Sequence, residues 1–336
     1  MIEIPLQNLP ILKFCLVLLF LIPFPALAFF FGGSLLSLSL SITEGLSKNH
    51  HSGHMANEMV QGVLLKKTLG FLLWVLVGWT LFLTHLIYRP PLFGLPFWVS
   101  CLAILAAGIL AMYTYSFLLR SSQGLAIPLF IGSSGLAMVT LALATLFCAG
   151  ALLYTPEKWP LLPAQPSLLF SWAGAAGFFQ FLALSLATTG ITIVLGYKFK
   201  PAPLSPTDNG KTSRGAPIFM VLGLILWPPL VLFEIFSLSR TALTTEVLAL
   251  FIIGALLALA TCWLGLSFFI NPLPKPTIIP IITLLGIFFC SALAHHLMRE
   301  NILHPPTTEP SAETISITAP AGSQLNSYCI SRGDTL

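Results

Sequence analysis

Ionisable side chains are scarce in this sequence, and the few inside long apolar runs mark where chemistry could be done. His85 sits in Phe82-Leu83-Thr84-His85, His295 and His296 follow Ala292-Leu293-Ala294, Glu234 lies one turn from the end of one apolar run and Glu246 opens the next. An ionisable group in hydrocarbon is expensive, so each is a candidate for function. Two neutral imidazoles on facing helices are what axial ligation of haem b requires. His85 with either His295 or His296 could supply them. Glu234 and Glu246 could take protons from a quinol or form part of a proton or ion pathway. The plainer reading is interfacial His at helix ends, where Trp and Tyr also gather.

A second constellation is His50-His51-Ser52-Gly53-His54-Met55. Imidazole with thioether favours copper, and imidazole with carboxylate favours zinc or nickel, so His50, His51 and His54 are candidate metal ligands. Ser52-Gly53 argues against a regular helix presenting them on one face. Gln180, midway along an apolar run, reads as interhelical hydrogen-bonding glue. Of the six cysteines, all but Cys329 lie in apolar runs, and none has metal-ligand spacing.

The elements that must position these groups follow from composition. Only 8% of the 336 residues are charged and 56% are hydrophobic, where a soluble domain carries about 25% charge. Apolar runs long enough to cross a bilayer, ~20 residues each, occupy most of the chain. The alternating ~10-residue segments of a membrane β-barrel are absent. The expectation is an all-α, polytopic transmembrane helix bundle of about eight spans. The clearest are Leu69–Tyr88, Phe97–Leu119, Ile127–Leu153, Leu168–Tyr197, Pro217–Leu238, Val247–Ile270 and Ile278–Met298. The first stretch, Ile11–Ile42, reads as a retained helix or signal anchor. Pro25-Ala26-Leu27-Ala28 also resembles a cleavage site, and a cleaved first helix would leave seven spans.

With eight spans, Lys48, Lys66 and Lys67 share a side with Lys198, Lys200, Lys211 and Arg214. The positive-inside rule places that side in the cytoplasm and both termini outside. Alternating direction then puts His85, His295, His296 and Glu234 in one external leaflet, where Glu246 also begins. Trp227-Pro228-Pro229 removes two backbone donors and is expected to kink or break the helix carrying Glu234. Ala173, Gly174, Ala176 and Gly177 form a small-residue surface suited to close packing, internal or against a partner.

By organisation, residues 1–42 form the hydrophobic helix, 43–68 a polar His-containing loop, 69–298 a seven-helix bundle and 299–336 a linker and tail. The basic Pro/Ser-rich segment 198–216 is expected to be a flexible loop. The tail from Asn301 has linker composition and ends in Tyr328-Cys329-Ile330-Ser331-Arg332-Gly333-Asp334. Tyr328, Cys329 and Gly333 resemble the start of a class I cytochrome c domain, in which an aromatic leads into C-x-x-C-H-G. Arg332 stands where the second Cys and the His belong, so the resemblance implies a truncated or degenerate haem domain and no covalent haem c on this chain. The other reading is a disordered tail with one Cys.

Together these features suggest a subunit of a respiratory electron-transfer system. It would bind haem b or quinone near the external face of a bacterial inner membrane and pass electrons to a c-type cytochrome or other redox subunit. The alternatives are a transporter or channel using Glu234 and the proline-bearing helix, and a non-catalytic anchor of a redox complex. The net charge of +4 is accounted for by topology signals, and no nucleic-acid partner is expected. No phosphate loop, nucleophile elbow or H-E-x-x-H motif is present.

Overall fold

A computed structural model of the chain describes residues 17–18, 21, 23–47, 75–80, 94–121, 124–155, 171–199, 206–238, 242–270 and 278–303. Every element among them is helical. The long helices are α1 (Pro23–Ser47), α2 (Leu95–Ser121), α3 (Ala126–Leu152), α4 (Trp172–Phe199), α5 (Pro206–Ser237), α6 (Thr245–Ile270) and α7 (Ile279–Leu303). Residues 75–80 are helical as well. All seven long helices are apolar enough to cross a membrane, so the protein is an integral, multi-pass membrane protein. The expected span Leu69–Tyr88 lies outside the described residues except for 75–80.

Helices in a bilayer must be apolar towards lipid and towards each other, so no polar face remains. Large side chains such as Phe236, Trp172 and Trp263 lie on the outer surface, where lipid is the solvent. The interior is held by shape instead. The most extensive contact is α4 on α5, followed by α2 on α3 and α6 on α7, while α1 lies chiefly against α4. Glycine permits the closest of these approaches. A Cβ on Gly223 of α5 would meet the Ala183 carbonyl of α4, and one on Gly32 of α1 would meet the Ser185 carbonyl and the Thr189 hydroxyl of α4. Leu27, Ala28, Phe30 and Phe31 of α1 are buried with them, so the first helix is part of the core.

Two elements differ from the sequence reading. The basic segment 198–216 is shorter as a loop than expected, because α4 runs to Phe199 and α5 already begins at Pro206. Proline is suited to the first helical position, where its missing N–H costs no intrahelical bond. The same helix also continues through Pro228 and Pro229 to Ser237 without a break. Lipid offers the backbone no alternative partners, so a helix is kept even where two bonds are lost. At the other end, α7 extends past Met298 to Leu303. The cytochrome c-like ending, with Tyr328, Cys329 and Gly333, lies outside the described residues.

Candidate functional site

Four helices bring a polar cluster together at one end of the bundle, where α4 begins and α3, α5 and α7 end. Ser171 starts α4 by accepting the Gly174 N–H on its hydroxyl at 3.1 Å, a helix N-cap. This sets Gln180 about 12 Å along the helix. Glu234 lies in the last turn of α5 and His295 two turns before the end of α7. Tyr154 stands just beyond α3 in a turn closed by Tyr154 N–H to Ala151 O at 3.1 Å.

Glu234 is 3% exposed, and both its oxygens are engaged. Oε1 lies 3.1 Å from His295 Nε2, and Oε2 accepts from Gln180 Nε2 at 2.6 Å. The Gln180 nitrogen also donates to Leu230 O at 3.2 Å. Because both neighbours only accept, the amide nitrogen must face them, which fixes its orientation.

The imidazole is fixed by the same logic. His295 Nδ1 is 2.7 Å from Ser291 O, one helical turn back. A carbonyl accepts only, so Nδ1 carries a proton. Nε2 and Oε1 must then have a second proton between them, since two lone pairs would otherwise face each other. The pair is either imidazolium with carboxylate or imidazole with carboxylic acid. In both forms it is electrically neutral and stores one exchangeable proton. Neutrality makes the arrangement tolerable in a membrane interior, where an unpaired charge is not.

Aromatic rings surround the pair. Phe251 and Tyr154 lie with centroids 6.1 Å from the His295 ring, and the Tyr154 hydroxyl donates to His295 O at 3.4 Å. The Arg299 guanidinium sits 5.9 Å above the Tyr154 ring, within cation–π range. Burial pushes the Tyr154 phenol above its ordinary value, opposed by neighbouring Arg299, so the hydroxyl remains a donor.

The cluster forms the polar end of a cavity of about 170 Å³. The rest of the wall is mainly apolar, with Thr80, Ser291 and His296 also on it. Phe24 of α1, Phe147 of α3 and Phe181 of α4 pack on one another with centroids 5.6 to 6.1 Å apart and line it, together with Trp98 and Phe288. Gly174 and Gly177 let α4 approach Cys148 and Phe147 of α3, so the small-residue surface of α4 is used inside the bundle.

Of the candidate residues, Glu234 and His295 are brought into direct contact, and His296 lines the same cavity. Glu246 is exposed in the first turn of α6, where the positive end of the helix favours an acid, and it does not line the cavity. His85, His50, His51 and His54 lie outside the described residues. No group of three or more His, Cys, Asp or Glu able to hold a metal occurs among the described residues. Sequence reasoning missed Tyr154 and Arg299. The signal that could have found them is depth: both stand at helix ends on the side shared by Glu234 and His295.

Fold and site define a polytopic helical membrane protein with a buried carboxyl paired to a partly buried imidazole at the head of a mainly apolar cavity. Comparison with protein-family models, curated proteins and solved structures finds no match.

Proposed function

We propose that this protein is a membrane subunit of an electron-transfer system that binds a quinol in the cavity, with its ring against the aromatic wall and its hydroxyls towards Glu234 and His295. The observation that carries this reading is the neutral, proton-storing pair Glu234–His295 at the polar end of an apolar cavity. A cavity of about 150 Å³ accommodates a benzene ring, so one of about 170 Å³ suits a single-ring head group. On oxidation the quinol loses two electrons and two protons. The electrons go one at a time to two ferric haems of c-type cytochrome on another chain, at the external end of the bundle. Both protons reach water at the same face, the Glu234–His295 pair handing on its stored proton as it takes one from the quinol and so remaining neutral. The membrane is the bacterial inner membrane, with the C-terminus outside.

Haem b ligation through His295 would have to displace bonds that the ring already makes. Both ring nitrogens of His295 are committed, to Ser291 O and to Glu234, which leaves none for iron. A second reading, proton-coupled transport, draws on the position of Glu234 one to two turns after Pro228 and Pro229 in α5, a place where helices bend.

Purified protein in mild detergent, given a short-chain benzoquinol without oxygen, tests the proposal through tryptophan fluorescence, since Trp98 lines the cavity. Saturable quenching that weakens in Glu234→Leu is expected. A folded protein with no saturable binding and no quinone in its lipid extract would sink it. Proton flux in vesicles lacking any redox substrate would instead favour transport.

A further inference from the structure

The hydrogen bonds around the Glu234–His295 pair bear on which of its two forms is held at rest. Leu230 O can only accept, so the Gln180 atom 3.2 Å from it must be the amide nitrogen whatever the state of Glu234. The same nitrogen lies 2.6 Å from Glu234 Oε2, shorter than the ~2.9 Å usual for an amide donor. Oε2 is therefore an acceptor in both forms. On the other side, Ser291 O takes a hydrogen from His295 Nδ1 at 2.7 Å. Each of these outer bonds strengthens when the group it serves is charged. An amide N–H binds a carboxylate more tightly than a carboxylic acid, and an imidazolium N–H donates more strongly than a neutral one. Burial is divided to match: Glu234 is 3% exposed and His295 25%. The buried carboxyl has two donors, and the more open ring is the one that can be solvated.

We infer that the pair rests as carboxylate and imidazolium, with Glu234 as the base and Gln180 as the positioning residue that keeps it ionised. In water a carboxylic acid gives its proton to an imidazole by roughly a hundredfold. Hydrocarbon opposes the transfer because it disfavours separated charge, and the two outer bonds offset that opposition. Arg299, one turn beyond His295 and on the same cavity wall, favours the carboxylate and disfavours the imidazolium, so its charge does not choose between the forms. Resting on the quinol reading, the assignment gives each residue one task. A quinol hydroxyl passes its proton to a free lone pair of the Glu234 carboxylate, and His295 gives its extra proton to water at the external face. One proton enters, one leaves, and the pair stays neutral. Without Gln180 the base is spent before the quinol arrives, because the proton has already crossed to Oε1.

Infrared spectra of the full-length protein in detergent at neutral pH, before and after deuterium exchange, test the assignment without any quinone. The wild type is expected to show no protonated-carboxyl band that Glu234→Gln removes or Glu234→Asp shifts. In Gln180→Leu the acid form should rise about tenfold, and such a band should appear. Gln180→Met also removes the donor and serves where Gln180→Leu does not fold. A Glu234 acid band in the wild type overturns the ion pair and leaves quinol binding untouched. An ionised Glu234 in both folded Gln180 variants overturns the role of Gln180. An ionised Glu234 in a protein that shows no saturable binding of the benzoquinol overturns Glu234 as its base, while the ion pair stands.

Discussion

Gln180 and Glu234, 54 residues apart in the chain, are joined by a 2.6 Å hydrogen bond across α4 and α5. These are the two helices in most extensive contact, and the bond lies in the packed interface rather than at its rim. The two backbones approach closely along this interface, where a Cβ on Gly223 would meet the Ala183 carbonyl.

Removing that bridge should be felt. Gln180→Leu keeps the volume but leaves Glu234 Oε2 buried without its donor, at a cost of about 1–3 kcal/mol. A lower apparent unfolding temperature in detergent is expected. An unchanged temperature would mean that water replaces the amide.

The Glu234–His295 pair should behave as a unit. Glu234→Leu and His295→Leu each strand one partner in an apolar setting, at about 3 kcal/mol. The double variant strands neither, and should be more stable than the sum of the singles implies by at least about 1 kcal/mol. Strict additivity in the unfolding data would argue that the two groups do not share a proton.

Gly32→Ala should destabilise the bundle by about 1–3 kcal/mol. The added methyl would meet the Ser185 carbonyl and the Thr189 hydroxyl, and the carbonyl belongs to a helix backbone that cannot rotate away. Size-exclusion profiles and thermal unfolding would register this. A variant as stable as the parent would show that α1 can shift freely against α4.

Tyr154 gives a prediction in alkali. Burial raises its pKa above the ordinary value, so its contribution to stability is fully present below about pH 10 and is lost as pH rises through the folded-state value. Tyr154→Phe should therefore lose less stability than the parent above that pH. Identical alkaline unfolding curves would contradict it.

How much of this was legible in the sequence depends on the kind of signal. The helices were legible because lipid leaves the backbone only one arrangement for apolar runs of this length. The shared depth of Glu234 and His295 followed from counting spans, since alternation of direction converts position along the chain into position across the membrane. Their contact did not follow, because depth says nothing about which helices are neighbours. Gln180 was recognisable as a bridging residue, but its partner depended on the α4–α5 pairing. Of the kink or break expected at Pro228 and Pro229, the break does not occur, because no solvent competes there for the backbone.

The placement of the pair has a further consequence for biogenesis. Glu234 enters the membrane with α5, while His295 arrives only with α7, 61 residues later. In the interval the carboxyl has Gln180 but no imidazole, which leaves a polar group in hydrocarbon short of a partner. Arrival of the last helix gives Oε1 its partner and converts a burdened intermediate into a closed, neutral one. A nascent chain halted before α7 should for that reason be a target for membrane quality control, whereas the completed chain should not.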